Sequence, residues 1–371
     1  MWKVTAILAA LLACFVAYLP SLLYPRDDSG FDLNELIDIR SRKVEGNDTW
    51  NFVVTGANSG LGYGTVVHLA SVPMTHTVMG CRSLSRCEAA RAKISVHPNS
   101  RVTCAVLDLE SKSSISKFAE VLSTEILAGE TLHGLVNNAG IWDSHYQSRP
   151  FVEEGGVECH MQINHLGHFF LVHKLWSLLL SNPNHIPRIV TVSSLVAIVP
   201  VDATAGWFES DTDSQGSTDS WLSPLTTFFR MVRLYARTKR ANLMFAAELN
   251  DRYGDKVVSV ASHPGYTRTQ LALNGFNFLP SWVGQFIHYN TIGSMDLMQG
   301  ALTQVRPLLD TNLANALMVG PKFWIAGNAV PVGYVRDKRP THYWPFTASQ
   351  SNQLWEQSMQ ALGITDFGTN M

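Results

Sequence analysis

TGANSGLG, residues Thr55–Gly62, stands where an apolar run, WNFVVTG at 50–56, gives way to LGYGTVVHLAS, the start of an amphipathic helix. A strand that ends in glycine and turns straight into a helix leaves backbone N–H groups at the helix N-terminus, where the positive end of the helix dipole also lies. Glycines in such a turn let the backbone approach a pyrophosphate closely. Gly56, Gly60 and Gly62 follow G-x-x-x-G-x-G rather than G-x-G-x-x-G, so the turn taken alone also reads as a structural one. With Asn58, Ser59 and Leu61 between them, these glycines are the candidate pyrophosphate contacts.

Five further short apolar runs follow: HTVMGC, VTCAVLDL (102–109), HGLVNNAG (133–140), PRIVTVSS (187–194) and VVSVASHPG (257–265). They are rich in Val, Ile and Leu and nearly continuous rather than alternating, as strands buried on both faces of a parallel sheet are. Helix-length segments separate them. The pattern is βαβα, and the expected fold is α/β, a doubly wound parallel sheet of Rossmann-like type in a single domain over 50–371. Residues 25–49 read as a polar connector with a short helix in FDLNELIDIR. The acidic, Ser/Thr/Gly-rich segment 201–221 reads as an exposed loop insertion. The region 266–371 departs from the alternating pattern and is the expected substrate and lid region, with its apolar 270–285 stretch as a substrate wall.

Composition narrows the function. The 371 residues are 46% hydrophobic and 16% charged, with a net charge of −2. No long Lys/Arg run offers a phosphate-tracking patch, which argues against nucleic acid as a partner. Cys14, Cys81, Cys87, Cys104 and Cys159 show no CxxC and no zinc spacing. Neither a metal site nor a disulfide framework is signalled, and the cysteines read as small buried hydrophobes in a reducing compartment. His165, His168 and His173 cluster in sequence, but no Cys or Glu completes a ligand set with them, so their expected role is structural.

Val4–Tyr24 is a run of 21 residues without a charge, and a bilayer-spanning helix needs ~20. The stretch is longer than the ~7–15 residues of a signal-peptide core, which favours an uncleaved anchor over residues 1–24 against a cleaved signal. Arg26, Arg40, Arg42 and Lys43 follow it, against Lys3 before it, so the positive-inside rule places the body on the cytosolic face. A glycosylation sequon, Asn47-Asp48-Thr49, would matter only in a lumen.

The second apolar run ends in Gly80-Cys81-Arg82. No carboxylate stands there to hold a ribose 2′-hydroxyl, whereas the Arg82 guanidinium suits a 2′-phosphate. The expected cofactor is therefore NADP(H) rather than NAD(H). Asp108, followed by Leu109, could accept from an adenine amino group or cap the next helix, and both readings stand. Asn138, Ala139 and Gly140 of NNAG suit a wall against a flat cofactor, though NNAG is also a good plain turn.

In LYARTKR, 234–240, Tyr235 and Lys239 are four apart and share a helix face. A neighbouring ammonium lowers a phenol from its ordinary pKa of ~10 toward values useful in general acid–base work. The heptapeptide alone reads equally as a solvated basic helix.

TGANSGLG, NNAG, Asn164 in INHLGHFFL, IVTVSS, YARTKRANLMFAAEL and then HPG resemble the short-chain dehydrogenase/reductase family, in that family's order. NHLGHFFL and the tyrosine segment look closest to its retinol-dehydrogenase-like branch. The resemblance is good over 50–265 and weaker beyond, where GPKFWIAGNAVPVG and LWEQS also fit. It implies that Tyr235 is the general acid in reduction and base in oxidation. Lys239 would lower its pKa and hold the nicotinamide ribose, and Ser194 would hydrogen-bond the substrate oxygen. Asn164 would organise a water-linked proton relay behind Lys239. Pro264, Gly265, Thr267 and Thr269 would hold the nicotinamide carboxamide. It also implies a lipophilic alcohol or carbonyl substrate (retinoid, steroid or lipid-derived), a homodimer, and a membrane-anchored enzyme of the endoplasmic reticulum or lipid droplet facing the cytosol. Ser194 and Tyr235 are 41 residues apart, longer than usual, and Thr238 stands where serine commonly precedes the lysine. Two other readings remain: a non-catalytic membrane-attached scaffold, and a C=C reductase of the protochlorophyllide-reductase type.

Overall fold

The computed structural model describes residues 33–34, 37–38, 49–142, 157–198, 207–208, 223–274, 281–290, 295–310, 313, 318–321, 329–330 and 346–368. The Val4–Tyr24 segment lies outside them, and no helix among the described residues is long and apolar enough to cross a membrane. All six expected strands form: β1 Trp50–Thr55, β2 Thr75–Cys81, β3 Arg101–Val106, β4 Leu132–Asn137, β5 Arg188–Val192 and β6 Val258–Ser262. Two short strands, β7 Met318–Pro321 and β8 Ala329–Val330, extend the sheet beyond the sequence reading. The order is β3-β2-β1-β4-β5-β6-β7-β8. Pairing is parallel through β7, and β8 joins antiparallel.

Strand alternation sorts the apolar residues between two layers. Phe52 and Val54 of β1 face one side, with Val66 and Leu69 of α1 (Gly60–Ser71) and Val305 and Leu308 of α8 (Leu297–Leu309). Val53 faces the other, with Ile115 and Phe118 of α3 (Lys112–Val121), Phe169 and Leu171 of α4 (Gly167–Leu179) and Phe245 of α5 (Ser223–Tyr253). Trp355 of α9 (Ala348–Leu362) and Phe367 complete this second layer. Each buried Val, Leu or Phe contributes about 1.5–3 kcal/mol. The connector joins the first layer, where Leu33 and Ile37, one helical turn apart, pack against it. Because β1 lies between β2 and β4, chain direction across the sheet reverses there, and a crevice opens beyond the strand C-termini.

Two expectations need correction. Cys87, on α2 (Leu84–Arg91), and Cys104, on β3, form a disulfide, with the free thiol of Cys81 3.0 Å from Cys87 Sγ. The pairing is made by the packing of α2 over the β2–β3 edge, which no spacing rule in the sequence encodes. Within the 201–221 insertion, Trp207 is 1% exposed and packs with Met161, Ala241, Met244 and Leu354, so that point is core rather than exposed loop. Apart from 207–208, the insertion lies outside the described residues.

The lead into α4 is unusual. Cys159–Met161 form one α turn, Gln162–Leu166 a π-helical turn, and α4 then starts at Gly167. A Cβ at Gly167 would lie 2.6 Å from the Leu109 carbonyl oxygen, so only glycine lets this helix pass the end of β3. Gly167→Ala should destabilise the fold by about 1–3 kcal/mol through overpacking, read as a lowered Tm. An unchanged Tm would mean that the helix can back away from β3.

Candidate functional site

The glycine turn needs glycine at two points for backbone reasons. Gly56 and Gly60 have φ of +64° and +56°, a region that L residues with a Cβ avoid. A Cβ on Gly56 would also sit 2.9 Å from Ala139 Cα, whereas one on Gly60 would meet only Thr269, at 3.8 Å, and otherwise project into open space. Gly62 serves packing: a Cβ there would meet Asn138 Nδ2 at 2.5 Å and the Gly56 carbonyl oxygen at 2.7 Å. The NNAG turn is pinned to β1. The amides of Asn138 and Ala139 both donate to Thr55 Oγ1 at 2.9 Å, and Asn138 Nδ2 donates to the Thr55 carbonyl at 2.8 Å.

These turns open on a cavity of about 550 Å³. Gly56, Asn58, Ser59, Gly60, Leu61, Arg82, Asp108, Leu109, Asn138, Ala139, Gly140, Pro264, Gly265, Thr267 and Thr269 line it, as do Ser194, Tyr235 and Lys239. Two expected residues stand behind its wall. Gly62 is one. Asn164 is the other: its Oδ1 accepts from the Ile141 amide at 2.8 Å, and its Nδ2 donates to the Ile141 carbonyl at 3.0 Å and to Thr238 Oγ1 at 3.2 Å. Thr238 passes the link on, donating to the Tyr235 carbonyl at 2.9 Å. The hydroxyl kept by the threonine-for-serine difference is therefore used.

Asp108 does not cap α3. Ser111 does, accepting from the Ser114 amide at 3.2 Å, while Asp108 Oδ1 accepts from the Glu110 amide within its own turn. The capping alternative falls because the strand ends three residues too early for it.

Tyr235 and Lys239 are brought together on α5, with Nζ 5.4 Å from the phenol ring centroid. Lys239 is 3% exposed, and its Nζ donates to the Val192 carbonyl at 2.9 Å. Burial pulls its pKa down to about 8. Burial also pushes the Tyr235 phenol up, opposite to the expected lowering, because loss of water around the oxygen costs the phenolate more than the ammonium returns. Both groups are thus held toward their neutral forms. The site can keep a phenol protonated beside a cavity and a hydroxyl, Ser194, at the same wall.

Arg86 and Trp142 stand out among the lining residues that sequence reasoning missed. Arg86 lies one turn beyond Arg82 and lines the same cavity, and the four-residue spacing of two arginines was a usable signal. Trp142 stacks on Tyr235, with ring centroids 4.9 Å apart and planes 16° from parallel. Nothing in its local pattern marked it.

The three histidines of the INHLGHFFLVH segment are spread over separate contacts. His165 meets Ser358 Oγ at 2.9 Å, His168 meets Thr55 Oγ1 at 2.8 Å, and His173 accepts from the Gly368 amide at 3.1 Å. Among the described residues one set of metal-ligating types stands together, Glu158, Cys159 and His160, with ligand atoms within 4.8 Å of one another. Its carboxylate is already engaged by His160 at 2.6 Å and the Met161 amide at 3.1 Å.

The described geometry has relatives. A family description for short chain dehydrogenase matches residues 51–207. Retinol dehydrogenase 12 of Bos taurus is 31% identical over 317 residues, covering 84% of this chain and 86% of that protein. The WW domain-containing oxidoreductase of Gallus gallus is 33% identical over 216 residues, 57% of this chain and 48% of the relative. The chain thus spans about half the length of the WW domain-containing oxidoreductases that it matches. Among solved structures, levodione reductase superposes with a TM-score of 0.55 at 18% identity, over 75% of this chain and 97% of that one. A short chain dehydrogenase from Shigella flexneri, solved with NADP, gives 0.52 at 18%, over 74% and 96%. At these identities the structures speak for the fold alone.

A lysine whose folded pKa lies below its unfolded value of 10.5 carries a folding cost below about pH 8, which fades as pH rises between the two values. The difference corresponds to about 3 kcal/mol at most. Lys239→Met should therefore melt above wild type at pH 7, with the gap closing toward pH 10.5. A variant that melts below wild type at pH 7 would show the buried charge to be compensated.

Proposed function

Since the chain belongs to the short-chain dehydrogenase family, in its retinol-dehydrogenase-like branch, we propose that it interconverts a lipophilic alcohol and its aldehyde or ketone with NADP(H). The observation that carries this reading is the convergence of Ser194, Tyr235 and Lys239 with the glycine turn and two arginines on one cavity. The cradle fits a dinucleotide: Gly60 opens into the cavity where a Cβ would intrude, and helix α1 begins there. Arg82 after the end of β2 and Arg86 in the first turn of α2, with no carboxylate on that strand end, favour a 2′-phosphate and hence NADP(H) over NAD(H).

The bound nicotinamide supplies or takes the hydride. Ser194 Oγ holds the substrate oxygen. Tyr235 delivers a proton to that oxygen in reduction and removes it in oxidation. Burial keeps the phenol protonated near neutral pH, which suits reduction. Lys239, when charged, stabilises the phenolate left behind and donates to the ribose hydroxyls. Asp108 serves the adenine amino group. Asn164 braces the wall through Ile141 and Thr238, and a water-linked relay behind Lys239 would start from its backbone.

A lipophilic substrate is supported by Trp142, Ile141, Leu271 and Ala272 on the cavity wall. It is supported also by α7 (Ser281–Asn290), a helix without an ionised side chain that packs on α6 (Gln270–Asn274), the helix lining the cavity. Trp282 and Phe286, one turn apart on α7, are 70% and 65% exposed. Aromatic residues of this kind favour a membrane interface. Together with the uncharged Val4–Tyr24 they suit a membrane-anchored enzyme of the endoplasmic reticulum or lipid droplet. Basic residues after Tyr24 favour the cytosolic face, and the Cys87–Cys104 disulfide pulls toward an oxidising lumen.

Three measurements test this reading. NADPH oxidation with a panel of lipophilic aldehydes and ketones should fall by about 10²–10⁴-fold in Tyr235→Phe, and NADH should serve poorly unless Arg82 and Arg86 are replaced. Equal rates in the two proteins would overturn the assignment. A conjugated enone in the panel separates C=O from C=C reduction, and an absent NADPH-induced thermal shift would favour the scaffold reading. In sealed microsomes, a cytosolic body should be lost to added protease; a protected body, with Asn47 glycosylated, would place it in the lumen.

A further inference from the structure

His168 is 1% exposed and lies outside the cavity lining, yet it touches the framework on both sides of the site. Its Nδ1 lies 3.2 Å from the Asn164 carbonyl oxygen and its Nε2 2.8 Å from Thr55 Oγ1. A carbonyl can only accept, so Nδ1 carries the hydrogen. Nε2 is then bare and accepts from the Thr55 hydroxyl. The hydroxyl's one hydrogen goes to this nitrogen rather than to the Val136 carbonyl, 3.3 Å away. Its lone pairs receive the amides of Asn138 and Ala139. Burial pulls the imidazole pKa down to about 3, in keeping with one donor and one acceptor.

We propose that His168 is a positioning residue that locks the π-helical turn carrying Asn164 to the end of β1, and through it fixes the catalytic helix against the cofactor turn. The chain of bonds is unbroken. It runs from the Ala139 amide to Thr55, to His168, to the Asn164 carbonyl, and from the Asn164 side chain through Thr238 to the Tyr235 carbonyl. A π turn widens the helix and loosens its own hydrogen-bond ladder, so a carbonyl within it gains from a side-chain clamp. The imidazole, one turn further on, folds back to supply that clamp. The ring must stay neutral in this role, because the Lys239 charge lies close enough to oppose a second one. The catalytic part of the inference rests on the proposed oxidoreductase reading; the bracing part does not.

The test uses the full chain, four single variants and one double variant. His168→Phe keeps a ring and removes both bonds. His168→Asn keeps a donor near Nδ1 and loses the reach to Thr55. Thr55→Val removes the hydroxyl, and Thr55→Ser restores it. In amide hydrogen exchange, His168→Phe and Thr55→Val should speed exchange at Ala139 and Ile141, while Thr55→Ser should not. With a substrate that the wild type turns over, the first two variants should each lose kcat by on the order of ten- to a hundredfold. The KM for the carbonyl compound should stay within about threefold, as expected for lost orientation rather than lost binding. The double variant should be no worse than Thr55→Val alone, because that change already cuts the link to His168 along with the two amide bonds to Thr55. If His168→Phe does not fold, Thr55→Val against Thr55→Ser carries the same comparison. A lowered Tm with unchanged exchange at Ile141 and unchanged kcat would overturn the proposal, as would losses that multiply in the double variant. Faster exchange in variants of a protein whose wild type turns over nothing would refute the oxidoreductase reading and leave the brace standing.

Discussion

The end of β1 and the end of β4 meet through backbone, and the missing Cβ of Gly56 makes the contact possible. Ala139 Cα occupies the place where that Cβ would go. The close approach lets one threonine hydroxyl serve two backbone amides of the neighbouring turn. From this junction the remaining geometry follows. The helix dipole of α1 points into the crevice, NNAG forms its side wall, and Ile141 just beyond is held by the Asn164 amide. A residue with a side chain at position 56 would move both strand ends, and with them the floor and the side wall of the cavity.

The Tyr235–Lys239 pair shows what burial beside the sheet imposes on charge. The protein packed around Tyr235 and Lys239 takes solvent from each, so each is driven toward neutrality, the phenol up and the ammonium down, while Tyr235 still borders the cavity. A fixed carbonyl, that of Val192, receives the ammonium and holds it in place. Such a site is arranged in advance of its ligand: its dipoles are aimed before any charge develops. Trp142, lying flat on the phenol, restricts the ring to one plane.

Much of this could be read from residue order. Continuous Val/Ile/Leu runs ending in small residues identified six strands, because a strand buried on both faces leaves no other pattern. Their C-terminal residues are where a doubly wound sheet places its ligand, so Gly56, Arg82, Asp108, NNAG, Ser194 and Gly265 were all legible together. What escaped was set by packing across long sequence separations. The Cys87–Cys104 bond depends on a helix lying over a sheet edge. Asn164 was singled out for the site, and its place behind the wall depends on the π turn. The sign of the Tyr235 shift depends on how much water the folded chain removes, which the i, i+4 spacing to Lys239 cannot tell. Strands β7 and β8 are too short to carry a periodicity of their own.

The π turn at Gln162–Leu166 also bears on how this gene can change. An α-helix advances 1.5 Å and about 100° per residue, and a π turn accommodates one residue more than the α turn that it replaces. Loss of a single codon in this stretch would let the ladder relax to plain α geometry. The segments on either side would keep nearly their phase, because the turn had absorbed the extra residue, and the change would fall on the turn itself, shifting the Asn164 amide away from Ile141. Length is therefore a constraint within the turn in its own right: a one-residue gap would spare the flanking helix and displace the amide that the turn carries.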